Sequence, residues 1–223
     1  SCTRYSCAFA IRVDSLTVAL PLVERATAGA SSAALVACSI ASDLREPPCI
    51  VTVTTADAPA SLLRQVRDLL ESAFAGEFSG DDWEHTLGGW HVVVVDAGAV
   101  VAHAAVVGRT LEVDGRSFRT GYVEGVATTP GRHGQGLGSL AMSAATDVVR
   151  REFELGALST GRHSFYERLG WQRWRGPTFV RHGRQLIRTP DEDDGVMVLR
   201  FGRSHDVDLN GSISCDARAG DDW

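Results

Sequence analysis

The stretch Gly121 to Ser139, GYVEGVATTPGRHGQGLGS, constrains this chain more than any other. Tyr122, Val123, Val126 and Ala127 are strand-type residues, Thr128 to Arg132 is turn chemistry with a Pro-Gly pair, and the run from Leu140 to Val149 is apolar and helix-like. Between turn and helix stand Gly134, Gly136 and Gly138. Glycines at that spacing let the backbone turn sharply and approach a ligand closely. Free N–H groups at a helix start form a natural seat for phosphate. Glu124 lies just upstream on the strand, so a phosphate cradle is expected beside a strand carboxylate.

The surrounding pattern narrows what the cradle holds. Residues 49–55, CIVTVTT, alternate like a strand. Asp57 or Ala58 is expected to cap a helix with Pro59 in its first turn. Leu62, Leu63, Val66, Leu69, Leu70, Ala73 and Phe74 form its apolar face, and it ends near Gly76. Ser79 with Asp82 three residues on reads as a capping box opening a short second helix. Trp90–Val95 and Ala99–Val113 follow as strands joined at Asp96-Ala97-Gly98, and Asp114-Gly115 turns the chain back into the strand through Glu124. Then come a helix from 136 to about 153, a strand at 155–158, a helix at 161–169 closed by Gly170, a strand at 171–180, an Arg-, Pro- and Asp-rich loop, and a strand at 196–201. The expected class is α/β (α+β): a mixed, mostly antiparallel sheet flanked by helices. Residues 49–223 read as one domain. Residues 1–48, ending at Pro47-Pro48, read as a poorly ordered or accessory extension.

This context excludes two familiar phosphate sites. A P-loop needs a lysine, and the 223-residue chain has none. A dinucleotide fold needs βαβ context, whereas the strands here form a meander. The net charge of −6 disfavours nucleic acid, and no apolar run approaches the ~20 residues that span a bilayer. The five cysteines suggest neither zinc nor a disulfide framework, so a reducing cytosol is expected. His85, His91 and His103 lack metal spacing and read as structural, with no metal expected. From Asp191 onward nine acids stand against three arginines, an excess equal to the charge of the whole chain. Such a run is either a solvated face or a seat for a polycation.

The pattern His133-Gly134-Gln135-Gly136-Leu137-Gly138 resembles the pyrophosphate loop of the GNAT superfamily of N-acetyltransferases, with His133 where arginine or glutamine is usual. Within it, AFAGEFSGDDWEHTLGG (73–89), GYVEGVA (121–127), YERLGW (166–171), RTPDEDDG (188–195) and CDARAGDDW (215–223) resemble the aminoglycoside 2′-N-acetyltransferases. The resemblance implies a homodimer that moves an acetyl group from acetyl-CoA to an aminoglycoside in a ternary complex. It implies that Glu124 is the general base, acting through a water, and that Tyr166 is the acid for the leaving thiolate. Val126, Ala127, Thr128 and the loop His133 to Gly138 would hold acetyl-CoA. Glu77, Asp82, Glu124, Gly125, Ser159, Asp191, Glu192, Asp193, Asp221 and Trp223 with its terminal carboxylate would hold the antibiotic, and Trp223 would stand with Glu124 and Tyr166 as a catalytic residue. Two alternatives stay open: the same fold acetylating a cell-wall sugar, polyamine or peptide, and a non-catalytic acyl-CoA-binding domain.

Overall fold

The computed structural model describes residues 47–223; the expectation for residues 1–48 falls, but for 47 and 48, outside them. Ile50–Trp223 form one compact unit. The elements are β1 (Cys49–Thr54), α1 (Ala60–Ala73), α2 (Gly80–His85), β2 (Trp90–Asp96), β3 (Ala99–Val113), β4 (Arg116–Thr128), α3 (Leu137–Glu152), β5 (Leu155–Ser159), α4 (His163–Glu167), β6 (Gln172–Arg173), β7 (Thr178–His182), β8 (Gln185–Arg188), β9 (Val196–Arg200) and β10 (Ile213–Asp216). The sheet runs β6-β9-β5-β4-β3-β10-β7-β8, with β2 also on β3 and β1 on β2. Among the pairings of β2 to β10, β4–β5 and β7–β10 are parallel and the others antiparallel, so the sheet is mixed and mostly antiparallel, as expected.

Both hairpin turns form where the sequence places them. Ala97 and Gly98, and again Asp114 and Gly115, have positive φ, the two-residue turn that matches strand twist. Alternation then assigns faces. Val92, Val94, Ala102 and Ala104 pack on Ala141, Met142, Ala145 and Val149 of α3. Val93 and Ala127 pack on Leu62, Val66, Leu69 and Leu70 of α1. The helices therefore cover opposite faces of the same strands, the arrangement that period-2 and period-3.6 patterns produce together. Among the described residues no helix is long and apolar enough to cross a membrane.

Several boundaries differ from the sequence reading. Pro59 is the N-cap of α1 rather than a first-turn residue, and α1 stops at Ala73. The expected strand 171–180 is two strands, because the Arg175 and Gly176 N–H groups both donate to the Leu209 carbonyl rather than to a ladder. A Cβ on Gly176 would lie 1.8 Å from the Gly211 carbonyl oxygen. The Arg-rich loop contains β8, and the tail contains β10, which docks antiparallel to Leu111–Val113 and parallel to β7. β10 thus uses the far half of the β3 edge that β2 leaves free. It brings the last residues of the chain back against the core, where Trp223 is 3% exposed.

The Ser79 capping box is present in full. The Ser79 hydroxyl accepts from the Asp82 N–H, and Asp82 Oδ2 accepts from the Ser79 N–H at 2.8 Å. We expect Ser79→Ala to lower unfolding free energy by about 1 kcal/mol, read by denaturant titration.

Candidate active site

Two features of β4 create the site. Its parallel pairing with β5 covers only Thr120–Tyr122 against Leu155–Ala157, although β4 continues to Thr128 and β5 to Ser159. The strands part after Tyr122, and Val123, Glu124 and Leu158 line the gap. At the same level β4 carries a bulge. His103 pairs with Ala127 and Ala105 with Glu124, so Ala104 faces both Gly125 and Val126. Gly125 has φ +55, and a Cβ there would come 2.9 Å from Thr86 Cγ2, so glycine is required on two counts.

A cleft of about 900 Å³ opens at this gap. Glu77, Asp82, Glu124, Gly125, Ser159, Asp191, Glu192, Asp221 and Trp223 all line it, with Tyr166 and Asp194. These residues come from the α1–α2 loop, α2, β4, β5, α4, the turn after β8 and the C-terminal segment. Asp193 is placed elsewhere. Its carboxylate accepts from the Thr178 N–H and hydroxyl and pairs with Arg188, which ties the turn to the sheet. Asp194 lines the cleft where Asp193 was expected.

A groove of about 670 Å³ adjoins it, lined by Val126, Ala127, Thr128, His133, Gly134, Gly136, Leu137 and Gly138. Val126, Tyr166, Phe74 and Arg162 line both spaces. The groove fits a pyrophosphate. Gly134 and Gly136 take φ +80 with open space where a Cβ would stand, and Gly136 caps the 16-residue α3 without a side-chain bond. The first-turn N–H groups of α3 therefore face outward with the positive end of the helix dipole. Gln135 is the one expected loop residue that does not line the groove. Its side-chain oxygen accepts from Arg132, and Arg132 also pairs with buried Asp96 at 2.7 Å. That contact fastens the loop to the β2–β3 hairpin.

Charge is concentrated in the cleft. Burial raises the Glu124 carboxyl above the ordinary glutamate value, against the pull of Arg218, whose Nη1 donates to Glu124 Oε1 at 2.7 Å. Arg218 Nε also donates to the Asp221 carbonyl, and its guanidinium lies 5.7 Å from the centre of the Tyr122 ring. Glu192 is raised by burial and then by Asp221. Burial pushes the Tyr166 phenol up to about 12. The Cys215 thiol, pushed up to about 11 by burial, donates to the Asp222 carbonyl, an inert arrangement. Among the described residues no cluster could hold a metal.

Sequence reasoning missed Arg218; His91 and His103, read as structural, are buried and hydrogen-bonded to each other. Arg218 is the one basic residue of CDARAGDDW, a signal in hindsight, but its partner lies 94 positions away.

An acid-lined cleft joined to a glycine-loop groove is an arrangement that suits an acyltransferase. Residues 56–174 match the family model described as an acetyltransferase (GNAT) domain. The chain is 42% identical over 176 residues to the aminoglycoside 2′-N-acetyltransferase of Mycolicibacterium fortuitum, covering 77% of this chain and 90% of that one. The solved GNAT family N-acetyltransferase YhbS of Escherichia coli, in complex with CoA, superimposes with a TM-score of 0.56 at 17% identity, over 76% of this chain and 92% of that one. A GCN5-related N-acetyltransferase from Kribbella flavida matches over 58% of this chain but only 34% of its own length, with a TM-score of 0.48 and 22% identity. The chain belongs to the GNAT acetyltransferase family.

The Glu124–Arg218 pair gives a prediction with a sign. The folded carboxyl binds its proton more tightly than the unfolded one. Glu124 therefore favours the fold below the ordinary value, and that advantage is lost as pH rises through the raised value. Arg218→Met raises the carboxyl further. We expect it to cost on the order of 3 kcal/mol near neutral pH and clearly less at pH 5, read by denaturant unfolding at both values.

Proposed function

We propose that this protein transfers the acetyl group of acetyl-CoA to the 2′-amino group of aminoglycoside antibiotics. The observation that carries the reading is the meeting of an acid-lined cleft with the glycine-loop groove at Val126 and Tyr166, with Glu124 beside the junction. The relative of that name, matched over 90% of its length, supports the substrate. A polycation needs several converging carboxylates, and Glu77, Asp82, Asp191, Glu192 and Asp221 stand around one cleft.

The groove would seat the pyrophosphate on the N–H groups of Gly134 to Gly138 and lay the thioester along Val126 to Thr128. The bound amine arrives as an ammonium without a free electron pair. Glu124, directly or through one water, takes one proton from it. The nitrogen then forms a bond to the thioester carbon while the Val126 N–H receives the developing oxyanion. As the C–S bond breaks, Tyr166 gives its proton to the leaving sulfur. The second ammonium proton, released as the amide forms, restores the phenol. A phenol pushed up to about 12 keeps its proton until the thiolate forms. No acetyl-enzyme is needed, and neither Cys49 nor Cys215 lines either space. The same reading carries a homodimer, for which exposed Leu186 and Ile187 on β8 offer surface; sizing in solution tests it.

We expect coenzyme A release from acetyl-CoA with gentamicin or tobramycin, and none with an analogue carrying a 2′-hydroxyl. Release with a simple polyamine but no aminoglycoside would overturn the substrate. Glu124→Gln should lower kcat at least about 100-fold with little change in KM for acetyl-CoA. Removing residues 221–223 should abolish aminoglycoside turnover.

A further inference from the structure

Four neighbouring segments each place one polar group in a line across the sheet. The Thr55 hydroxyl follows β1, His91 is on β2, His103 on β3 and the Gly125 carbonyl on β4. Thr55 Oγ1 lies 3.0 Å from His91 Nε2, His91 Nδ1 lies 3.0 Å from His103 Nε2, and His103 Nδ1 lies 2.8 Å from the Gly125 oxygen. Both imidazoles are fully buried.

The proton positions follow by elimination. The Gly125 carbonyl can only accept, so His103 Nδ1 carries the hydrogen. Burial, with the neighbouring imidazole, holds His103 down to about 3, and burial holds His91 to about 4, so both rings are neutral. A neutral ring with Nδ1–H has a bare Nε2, which must accept. His91 therefore donates from Nδ1, and its own bare Nε2 accepts the Thr55 hydroxyl hydrogen, being nearer at 3.0 Å than the Gly89 carbonyl oxygen at 3.3 Å. Thr55 Oγ1 is in turn held by the Gly88 N–H at 3.0 Å. Every bond in the line points toward Gly125.

The carbonyl at the end of the line belongs to the bulge. Gly125 and Val126 both stand opposite Ala104. The Gly125 C=O and the Val126 N–H are in one planar trans peptide and point in opposite directions. Drawing the carbonyl toward His103, on the α1 face with Val93 and Ala127, turns the N–H to the other side. On that side Val126 packs against the α3 cluster and lines both groove and cleft. Hydrogen bonds in series also polarise one another, so a peptide whose oxygen accepts is a stronger donor at nitrogen.

We infer that His103, backed by His91 and Thr55, is a positioning residue that aims the Val126 N–H at the acyl carbonyl through the 125–126 peptide. The inference rests on reading the groove as the seat of acetyl-CoA. Two measurements on the full chain test it. Nitrogen-15 NMR of labelled histidines should show His91 and His103 as neutral Nδ1–H tautomers from pH 6 to 8, and an Nε2–H tautomer at His103 overturns the line. The Val126 amide proton should move downfield with acetyl-CoA and not with coenzyme A, and His103→Leu should abolish that difference. In turnover, His103→Leu should lower kcat about tenfold, with KM for acetyl-CoA changed little. His103→Asn, which keeps a donor near the Nδ1 position, should recover most of it. An Asn variant as slow as the Leu variant at equal melting temperature, or an unchanged Val126 response in the Leu variant, overturns the role. If the Leu variant does not fold, the tautomers and the wild-type amide response decide. A wild-type protein that releases no coenzyme A with any amine sinks the proposed function and leaves those two readouts to judge the relay.

Discussion

The site exists because β4 and β5 cannot remain paired. Parallel strands that stay in register give a closed ladder with no room for a ligand between them. Here the ladder ends at Tyr122 and Ala157, and the next residues of each strand become walls. The bulge at Gly125 and Val126 makes the parting permanent, since an extra residue bends β4 and increases its twist. Everything around the site serves that break. α1 supplies Leu70 against Gly125, Thr86 closes over it, and His103 satisfies its carbonyl. A buried carbonyl in a broken ladder would otherwise stand unpaired, at a cost of a few kcal/mol.

What the sequence revealed and what it hid divides along the range of the interactions. The Ser79 cap, the two turns and the glycine loop into α3 are each decided within a few residues, and each forms as read. The amphipathic face of α1 is legible for the same reason, because its period is local, but Phe74, expected on that face, is the C-cap and is 40% exposed. β10 was not legible. Ile213–Asp216 is four residues long, and its strand character comes from docking on Leu111–Val113, about 100 positions earlier. Asp193 was misplaced because four consecutive acids look alike in sequence, and only the hydrogen bonds from Thr178 and Arg188 decide which of them turns inward. The line from Thr55 to Gly125 was hidden because a pair of histidines gives no sign of which groups flank them.

The late part of the chain does two opposed things to the cleft. It adds acids there, Asp191, Glu192 and Asp221, and it adds one cation, Arg218. A cleft that gathers carboxylates repels itself in the absence of its ligand, and burial makes that repulsion stronger because water screens it less. Arg218 relieves this at the most buried member, Glu124, while its Nε holds the Asp221 carbonyl. One guanidinium thus fastens the C-terminal segment to the reacting strand and lowers the electrostatic cost of the unliganded fold.

That arrangement also divides labour among the acids. Glu124 has one oxygen committed to Arg218, and Asp82 has one committed to the Ser79 cap. Both are oriented before any ligand arrives, which removes side-chain freedom that binding would otherwise have to take. Glu192 is the contrasting case. Its carboxylate accepts from the Ser159 hydroxyl at 3.5 Å, and burial and then Asp221 raise its proton affinity. An arriving ammonium gains most from the acid that its neighbours destabilise. Under the proposed function, the fixed acids would set register and the strained one would supply attraction.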